Sequence, residues 1–551
     1  MIADSVPSES PAEAAAMESR RDSWSEDWRI AYGRHWQALL AVLFVLLVIR
    51  GALETLGDAD LPMHLALGEW IVRNSSVPVV EPFAWTRPGA PYYSYSWAAQ
   101  VLFFAAAEGG GKLWLRLLHG LMVGGAGASM ILLGRAARWD PRTSLLMAAL
   151  NVVILSALVA PVRPQALLFS LVPLAWAFNY TALSAAHPRL ALIGLAVISA
   201  AAANVHIFFP LTAAPWLLWA AKASANRRRL WAIAGATVIG WLITPYALSW
   251  PSVFRSNVLT NPLLVFPSPI SETVPGFLAM RLNGIAFFTG LFLATLPWWT
   301  QRARDPLALR LAFGGAWLAG LFAFASAFRL LLVWWMLVLP LAAFAIYSIS
   351  QSLLASESQQ IRLLRILGVW SICAALIVSS GRFEAMAWAR EDPAGARRLS
   401  PIYENGLEQL ATWLECNTLE GAGGRVFTQF DYGSPLTWRL RNYSMSIDGR
   451  TIFPDSVAKA EAFYDPIREP LREGPWRSAN LAIMPVGGAI GSVLDKAPGW
   501  QRVAVVHREP GSAALWVTGA WWAQVGRTPL PARPVPLSAG YACVPGVGTA
   551  R

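Results

Sequence analysis

The chain has 551 residues, of which 55% are hydrophobic and only 14% are charged, and its mean hydropathy is +0.44. Soluble globular proteins carry about 25% charged residues, so this composition argues against a soluble enzyme. It also argues against intrinsic disorder, which requires low hydrophobicity and high charge. The formal net charge is +11, carried almost entirely by arginine. Because the arginines cluster between apolar runs, they indicate membrane topology rather than nucleic-acid binding.

Residues 1–36 are polar and lack the basic start, apolar stretch and cleavage site of a signal peptide, which predicts a cytoplasmic N-terminal tail. A helical domain of apolar runs follows over 37–381. The runs lie near 38–53, 112–134, 143–161, 165–186, 190–204, 207–221, 230–248, 284–300, 308–326, 328–349 and 366–381. We therefore predict an α-helical polytopic membrane protein with about 11–13 transmembrane helices. The segment 97–108 is too short to be a certain span, and Gly109-Gly110-Gly111 after it indicates a helix break.

Arginine placement predicts the orientation of this domain. Basic loops occur at 135–142, 227–229, 302–310 and 362–365, and they are separated by even numbers of spans if 97–108 does not cross. One topology therefore places all of them in the cytoplasm, as the positive-inside rule requires. The same topology places the loops 54–96 and 249–283, and everything after about residue 382, on the outer side.

The polar residues of the remaining turns all fall on this outer face. They are Asp58, Asp60, His64, Arg163, Asn204, His206, Glu272 and Arg329. Ionisable groups near membrane depth are costly to bury, and they usually face a cavity or a partner. Their one-sided distribution therefore predicts a single polar cavity that opens outwards.

Asp58 and Asp60 are the candidates for chemistry in the first outer loop. A partly desolvated carboxylate can act as general base towards a hydroxyl group. Alternatively, the two acids together with His64 would hold a divalent cation such as Mg²⁺ or Mn²⁺. The competing structural interpretation is a solvated loop whose acids cap the following helix. The spacing alone does not decide between these interpretations.

Arg163 and Arg329 lie beside apolar spans. The planar guanidinium group suits phosphate, so both arginines would bind a lipid-linked phosphate at the membrane boundary. The alternative is that they extend towards lipid head groups. His206 also has a structural alternative, because a lone histidine in an apolar turn is more often packed than catalytic.

The last part of the chain changes character and predicts a small α/β domain over 382–524, followed by a Pro-rich, irregular tail over 525–551. Strands are predicted at 424–428, 443–447, 481–484, 500–507 and 513–517, and a helix at 435–440. The stretch Glu509-Pro510-Gly511-Ser512 indicates a hairpin. A disulfide between Cys416 and Cys543 is expected only if this region is extracytoplasmic.

Several nucleotide, metal and hydrolase motifs are absent from the sequence. It contains no phosphate-binding Walker loop, no His-Glu-x-x-His helix and no Gly-x-Ser-x-Gly elbow. ATP-driven pumping and metalloprotease activity therefore have no support.

A set of short motifs, taken in order, resembles bacterial polytopic membrane glycosyltransferases of the GT-C superfamily, which use polyprenyl-phosphate-linked sugar donors. The matching residues are Asp58, Asp60, His64, Gly68, Trp70 and Ile71, then Pro78 and the stretch 81–86, then Arg163-Pro164-Gln165, Asn204-Val205-His206, Pro245-Tyr246, Ser271-Glu272, Arg329, 424–427, Asp431-Tyr432-Gly433 and 447–450. The resemblance thus extends from about residue 55 to about residue 517.

The resemblance implies an oligosaccharyltransferase-like architecture and an inverting transfer of a hexose or pentose. The reaction would occur on the periplasmic face of the bacterial inner membrane. Asp58 or Asp60 would be the base, and Arg163 and Arg329 would steady the departing lipid phosphate. Further implied substrate-binding residues are His64, Glu81, His206, Glu272, Asp431, Tyr432, Asp448 and Arg450. The implied partners are a polyprenyl-phosphate-linked sugar, membrane lipids and a glycan, lipid or protein acceptor, with no nucleic acid.

The chain departs from the family pattern at two acidic positions. Tyr95-Ser96-Trp97-Ala98 stands where the family often has His-Glu-Trp-Leu, and Glu81 replaces an aspartate. Two alternatives therefore stay open: a flippase or transporter of a lipid-linked glycan, and a non-catalytic component of an envelope polysaccharide pathway. A transporter would carry polar residues at mid-membrane in both halves, whereas the polar groups here are predicted at one face.

Overall fold

The computed structural model describes residues 34–54, 56, 60–159, 161–214, 227–255, 257, 332–333, 335–337, 339, 343, 406–447, 475–506 and 512–537. The predicted spans after residue 258 lie almost entirely outside these residues. The count of about 11–13 transmembrane helices therefore stays a prediction.

The α-helices in the described part of the helical domain are α1 (Arg34–Ala52), α2 (Leu61–Asn74), α3 (Trp97–Ala137), α4 (Pro141–Leu158), α5 (Pro164–Ser184), α6 (Arg189–Val205), α7 (Arg227–Leu242) and α8 (Trp250–Phe254). Most of them follow the predicted apolar runs, whereas α2 and α8 lie in the predicted loops 54–96 and 249–283. Of the helices described, α3 and α5 are long and apolar enough to cross a membrane. Helix α7 and the segment 247–254, bent by 97°, would together make a third, broken span.

Helix α3 joins the segment 97–108 to the apolar run 112–134 across the predicted break. Gly110 has φ −166° and ψ 22°, and Gly111 has φ 60° and ψ −141°, so both leave the helical conformation. A positive φ with this ψ is open to glycine and costly for other residues. The glycine triplet therefore separates two helical segments, as the sequence predicts.

Glycines also let two helices approach α3 closely. A Cβ atom on Gly120 of α3 would lie 2.3 Å from the backbone oxygen of Val48 in α1. A Cβ atom on Gly68 of α2 would lie 2.2 Å from the backbone oxygen of Gln100 in α3. Small residues permit such close backbone packing between helices. The position of α2, which begins directly after Asp60, therefore depends on Gly68.

The C-terminal part forms the predicted α/β domain around a six-stranded sheet. Its strands are β1 (Gly424–Thr428), β2 (Tyr443–Met445), β3 (Leu481–Pro485), β4 (Trp500–Val506), β5 (Ala513–Thr518) and β6 (Val535–Leu537), in the spatial order β2-β1-β3-β5-β4-β6. Strand β1 is parallel to both β2 and β3, β5 is antiparallel to β3 and β4, and β6 is parallel to β4. Its helices are α9 (Leu407–Asn417), α10 (Phe430–Arg439), α11 (Ala489–Leu494) and α12 (Gly519–Val525).

Five predicted strands and the antiparallel pairing of β4 with β5 are confirmed. Helix α10 begins at Phe430, five residues before the predicted start, because the helical spacing already holds through Tyr432 and Leu436 on its buried side. The sheet also continues beyond residue 524, since β6 pairs with β4 in the stretch predicted to be an irregular tail. Cys416, at the end of α9, is disulfide-bonded.

The loop between α2 and α3 joins the two domains by pairing with the free edge of the sheet. The backbone nitrogen of Trp85 donates to the oxygen of Met445 in β2 at 3.1 Å, and the Met445 nitrogen donates to the oxygen of Phe83 at 3.2 Å. The Thr86 hydroxyl donates to the Ser446 oxygen at 2.6 Å. Exposed edges are usually covered or paired, and here a single β-bridge joins Ala84 of the helical domain to Met445 at the edge.

Candidate active site

Asp60 and Arg163, which are far apart in the sequence, form an ion pair. The Arg163 Nη2 atom lies 2.9 Å from the Asp60 Oδ2 atom, and the two side chains are 14% and 39% exposed, respectively. The carboxylate is therefore open to solvent, while the guanidinium group is mostly enclosed. Helices α2 and α5 begin directly after these two residues, so the pair joins the starts of two helices.

Local sequence explains why both side chains are available for this contact. Pro62 and Pro164 lie in the first turns of α2 and α5, where a missing backbone N–H costs nothing. Asp60 and Arg163 occupy the N-cap positions, but neither side chain makes a capping hydrogen bond. For Asp60 the helix-capping alternative is therefore not what the structure adopts.

The turn before Arg163 contains an unusual backbone conformation. Val162 has φ +59° and its side chain is fully buried. A β-branched residue in the left-handed region costs about 1–3 kcal/mol, so surrounding contacts must hold it there. One such contact is the hydrogen bond from the Val162 backbone nitrogen to His119 Nδ1, at 3.4 Å.

His119 belongs to a buried charge cluster, formed by Arg50, Glu54, His119 and Ser156. Glu54 Oε2 lies 2.5 Å from His119 Nε2, and Glu54 Oε1 lies 2.6 Å from Arg50 Nη1 and accepts a hydrogen bond from the Ser156 hydroxyl at 3.1 Å. The side chains of Arg50, Glu54 and His119 are at most 6% exposed. Since a buried charge requires compensation, the cluster compensates the charge of Glu54 within the protein.

A second polar group surrounds His64 on α2. The Gln100 amide nitrogen lies 3.5 Å from His64 Nδ1, and the Gln100 amide oxygen accepts a hydrogen bond from the Ser94 hydroxyl at 2.5 Å. The His64 ring also meets Phe103 edge to face at 6.2 Å. His64 is partly exposed, so its environment combines an amide, an aromatic ring and solvent.

His206 and Asn204 have packed surroundings. The His206 ring is buried, lies 5.6 Å from the Tyr95 ring, and accepts a hydrogen bond at Nδ1 from the Phe208 backbone nitrogen at 3.3 Å. Asn204 accepts from Trp97 Nε1 at 2.7 Å, so it ties α6 to the start of α3. These contacts match the structural alternative for His206; its substrate-binding role stays a prediction.

Glu81 supports the loop segment that joins the domains. Its Oε1 atom accepts hydrogen bonds from the backbone nitrogens of Phe83 and Ala84 at 2.8 and 2.9 Å. The side chain is buried, and these bonds shape the turn that leads to the β-bridge between Ala84 and Met445. The implied substrate role of Glu81 has no geometric support in these contacts.

The junction of the domains also contains an ion-pair group outside the sequence prediction. Glu69 Oε1 lies 2.6 Å from Arg73 Nη2 and 2.8 Å from Arg441 Nη1, so one carboxylate of α2 contacts an arginine of the C-terminal domain. Trp438 of α10 packs edge to face on Phe104 of α3 at 6.2 Å. A cavity of about 640 Å³ borders this junction.

Asp431 and Tyr432 lie in the first turn of α10. The Tyr432 ring is buried in the core of the C-terminal domain, while Asp431 is exposed. Partial burial nevertheless raises the pKa of the Asp431 carboxyl group. The implied substrate roles of both residues stay predictions.

The other predicted site residues lie outside the described part of the chain. They are Asp58, Glu272, Arg329, Asp448 and Arg450. Of the residues predicted to line the outer cavity, the structure describes Asp60, His64, Arg163, Asn204 and His206, and it brings Asp60 and Arg163 into direct contact.

The described residues include no cluster of three histidine, cysteine or acidic side chains that could hold a metal ion. Asp60 and His64, the described members of the predicted cation site, contact Arg163 and Gln100, respectively. Cation binding with Asp58 stays a prediction.

Sequence reasoning missed Glu54, His119 and Gln100. A signal for the first two was present, because Arg50 and Glu54 stand one helical turn apart at the end of an apolar run and His119 lies inside another. Ionisable residues in apolar helices usually have a specific partner. Gln100 carried no such signal, since the pattern does not indicate which face of α3 meets His64.

No protein-family model matches the chain, and a search of curated proteins finds no match. Solved structures do match. Arabinofuranosyltransferase AftD from mycobacteria has a TM-score of 0.54 at 15% identity over 88% of this chain, and the match covers 41% of AftD. This chain thus spans well under half the length of AftD.

Two structures of an Archaeoglobus fulgidus oligosaccharyltransferase also match. The apo form has a TM-score of 0.55 at 12% identity, covering 82% of this chain and 70% of that one. The same organism's oligosaccharyltransferase AglB, in complex with an inhibitory peptide and a dolichol-phosphate, has a TM-score of 0.53 at 13% identity, covering 83% and 70%. These neighbours are GT-C glycosyltransferases. At 12–15% identity this likeness shows a shared fold, so the chain has the fold of these glycosyltransferase structures, as the order of its motifs predicted.

Proposed function

We propose that this protein is an integral-membrane glycosyltransferase that moves a sugar from a polyprenyl-phosphate-linked donor to an acceptor on the periplasmic face. The acceptor is a glycan, a lipid or a protein. The observation that carries the proposal is the contact of Asp60 with Arg163 at 2.9 Å, within a GT-C fold. A candidate base and a candidate phosphate ligand, from distant parts of the sequence, thereby occupy one site.

The pair suits a transfer in which the leaving group is already a phosphate. Arg163 would bind the phosphate of the donor through its planar guanidinium group. The incoming anion competes with Asp60 for that group, so donor binding would release the carboxylate. Asp60, at 39% exposed the more open member of the pair, then meets the acceptor.

In the transfer step, Asp60 accepts the proton of the acceptor hydroxyl group. The hydroxyl oxygen forms a bond to the anomeric carbon while the bond from that carbon to the phosphate oxygen breaks. The electron pair of the broken bond passes to the polyprenyl phosphate, whose negative charge Arg163 stabilises. Attack from the opposite face inverts the anomeric configuration. Asp58 would share the role of base, and catalysis consists mainly of positioning and charge stabilisation.

Two observations support the proposed partner and location. The neighbouring AglB structure contains a dolichol-phosphate, which is a polyprenyl phosphate. The disulfide at Cys416 in the outer domain is expected in an oxidising compartment. The first supports a polyprenyl-phosphate donor, and the second supports a periplasmic C-terminal domain in a protein of the bacterial inner membrane.

The proposal is tested by turnover in lipid nanodiscs. The purified protein is incubated with undecaprenyl-phosphate pentoses and hexoses and candidate acceptors, and release of undecaprenyl phosphate is measured. We expect Asp60→Asn and Asp58→Asn together to lower turnover about 10²- to 10⁴-fold, the range for general-base catalysis. Asp140→Asn is the matched control, because Asp140 lies in the loop between α3 and α4 and contacts Thr143.

Full turnover and donor binding in the Asp58 and Asp60 double variant would refute the assignment of the base. Donor binding by the wild-type protein without turnover on any acceptor would favour the non-catalytic alternative. Movement of the intact lipid-linked sugar across the bilayer would favour the flippase alternative.

A further inference from the structure

The turn that carries Arg163 is held from behind by a buried histidine. Val162 adopts φ +59°, a conformation that its β-branched side chain disfavours. Its backbone nitrogen donates a hydrogen bond to His119 Nδ1 at 3.4 Å. The next residue is Arg163, which lies 2.9 Å from Asp60. The conformation of one residue therefore determines where the candidate phosphate ligand points.

The contacts of His119 define its tautomer. Nδ1 accepts from the Val162 amide, so the ring proton is on Nε2, which faces Glu54 Oε2 at 2.5 Å. Glu54 in turn contacts Arg50 at 2.6 Å and Ser156 at 3.1 Å. A partner on one ring nitrogen sets the protonation of the other. In this arrangement Nε2 faces Glu54 and Nδ1 faces the Val162 N–H, so Glu54 fixes the orientation of the ring.

Charge compensation of Glu54 does not require this arrangement. Arg50 already forms an ion pair with the Glu54 carboxylate. The histidine connects that pair to a backbone amide in a strained turn, and the turn leads directly into the candidate site. Glu54 orients the His119 ring, and the ring accepts a hydrogen bond from the Val162 amide. The position of the buried carboxylate therefore affects the backbone directly before Arg163.

We propose that His119, oriented by Glu54, is a positioning residue that holds the Val162 turn and thereby places Arg163 for the phosphate of the donor. This inference rests on the proposed function for the identity of the ligand. The contact of His119 with the Val162 amide does not, and it is tested separately.

The experiment compares three substitutions in full-length protein in nanodiscs. His119→Asn keeps a carbonyl oxygen near the Nδ1 position but does not reach Glu54. His119→Gln places its amide near Nε2, and His119→Leu removes both contacts. Ser129→Ala is the matched control, because Ser129 is buried on the same helix and donates to the Ala126 and Phe169 oxygens.

Two readouts are measured for each variant. Hydrogen exchange of the Val162 amide reports the turn itself without any ligand. The donor KM, the kcat and the affinity for undecaprenyl phosphate report the placement of Arg163. We expect His119→Leu and His119→Gln to speed exchange and to raise the donor KM about tenfold, the factor equal to about 1.4 kcal/mol. We expect His119→Asn to keep the Val162 amide exchange and the donor KM close to the wild-type values. Ser129→Ala should change neither the exchange nor the KM.

The outcomes separate this inference from the proposed function. If the wild-type protein neither binds undecaprenyl phosphate nor transfers sugar, the proposed function fails, while amide exchange still judges the contact of His119 with the turn. If the wild-type protein is active and His119→Leu leaves the donor KM and the amide exchange unchanged, the positioning role is wrong. Equal losses in His119→Asn and His119→Leu would also overturn it, because they would indicate general destabilisation.

Discussion

The ion pair of Asp60 and the charge cluster of Glu54 differ in their access to solvent. Asp60 is 39% exposed where it meets Arg163, whereas Glu54 is 6% exposed where it meets His119 and Arg50. Both acids belong to the short stretch between α1 and α2. Asp60 and Glu54 are six positions apart in the sequence, yet solvent and ligands have access to the Asp60 carboxylate and not to the Glu54 carboxylate.

The difference matters because environment decides what an ion pair can do. A solvent-accessible pair contributes little to stability, about 0–1 kcal/mol, and exchanges partners readily. A buried pair is strongly coupled to its surroundings, and removing one partner leaves an uncompensated charge. We therefore assign the reaction to the pair of Asp60 with Arg163, and the support of the site to the cluster around Glu54.

The largest effect on stability is expected from Glu54→Gln. The substitution keeps the shape of the side chain but leaves Arg50 buried without its counter-charge, which should cost about 3–5 kcal/mol of unfolding free energy. The measurement is thermal or denaturant unfolding in detergent. Glu415→Gln is the control, because Glu415 is 46% exposed beside Arg439 and should cost no more than about 1 kcal/mol. Equal losses of unfolding free energy in the two variants would show that burial does not set the contribution of the Glu54 cluster to stability.

Arg163→Ala should lower activity strongly and stability little, which is the reverse of Glu54→Gln. We expect kcat/KM to fall about 10²- to 10³-fold, as for other groups that stabilise charge in a transition state, with little loss of stability. Arg163→Lys should recover part of the activity, because lysine supplies the charge without the planar fork. A large loss of stability in Arg163→Ala with unchanged activity of the folded fraction would assign the pair to structure.

Gly68→Ala tests whether the packing of α2 on α3 places Asp60. The new Cβ atom would lie 2.2 Å from the Gln100 oxygen, so α2 must move away from α3. We expect a loss of about 1–3 kcal/mol, the usual cost of overpacking, and a parallel loss of turnover. Gly235→Ala is the control, because nothing lies within 4 Å of its added Cβ atom. Unchanged stability in Gly68→Ala would show that the helices adjust freely.

Trp85→Phe tests the attachment of the C-terminal domain to the helical domain. It removes the hydrogen bond from Trp85 Nε1 to the Val426 oxygen at 3.1 Å, which should weaken docking by about 1 kcal/mol. Limited proteolysis between the domains would measure the loss. Trp231→Phe is the control, since Trp231 is 68% exposed on α7 and should leave the cleavage rate unchanged.

The smallest effect is expected from Asp431→Asn. Partial burial raises the pKa of this carboxyl group, so the folded state binds its proton more tightly than the unfolded state. Stability from this residue is therefore lost as the pH rises from the ordinary carboxyl pKa through the raised one. Asp431→Asn should slightly raise the Tm at neutral pH, and the gain should disappear in acid. A gain that is independent of pH would contradict this account.

Much of the fold was predictable because its signals are local. Apolar runs predicted α1 and α3 to α7, the glycine triplet predicted the break in α3, and alternating patterns predicted five strands. Helix and strand formation depends on neighbouring residues, so periodicity suffices. The arginine distribution also predicted that Asp60 and Arg163 share one face of the helical domain.

Other features depended on contacts between distant residues. The sequence did not indicate that Glu81 shapes the turn at Phe83, next to the C-terminal domain. It also did not indicate that Glu54 orients His119. Nor did it predict that a loop segment of the helical domain would pair with the sheet edge at β2.

The sequence by itself determined which of the described apolar segments are helices and which are strands. Only the tertiary structure decided that Arg163 pairs with Asp60 and that His119 joins Glu54 to the Val162 turn. The reason is physical: periodicity reports which face of a helix is apolar, whereas an ion pair requires two side chains to lie within about 4 Å. That distance depends on how closely the helices pack, and at α2 and α3 the packing depends on Gly68.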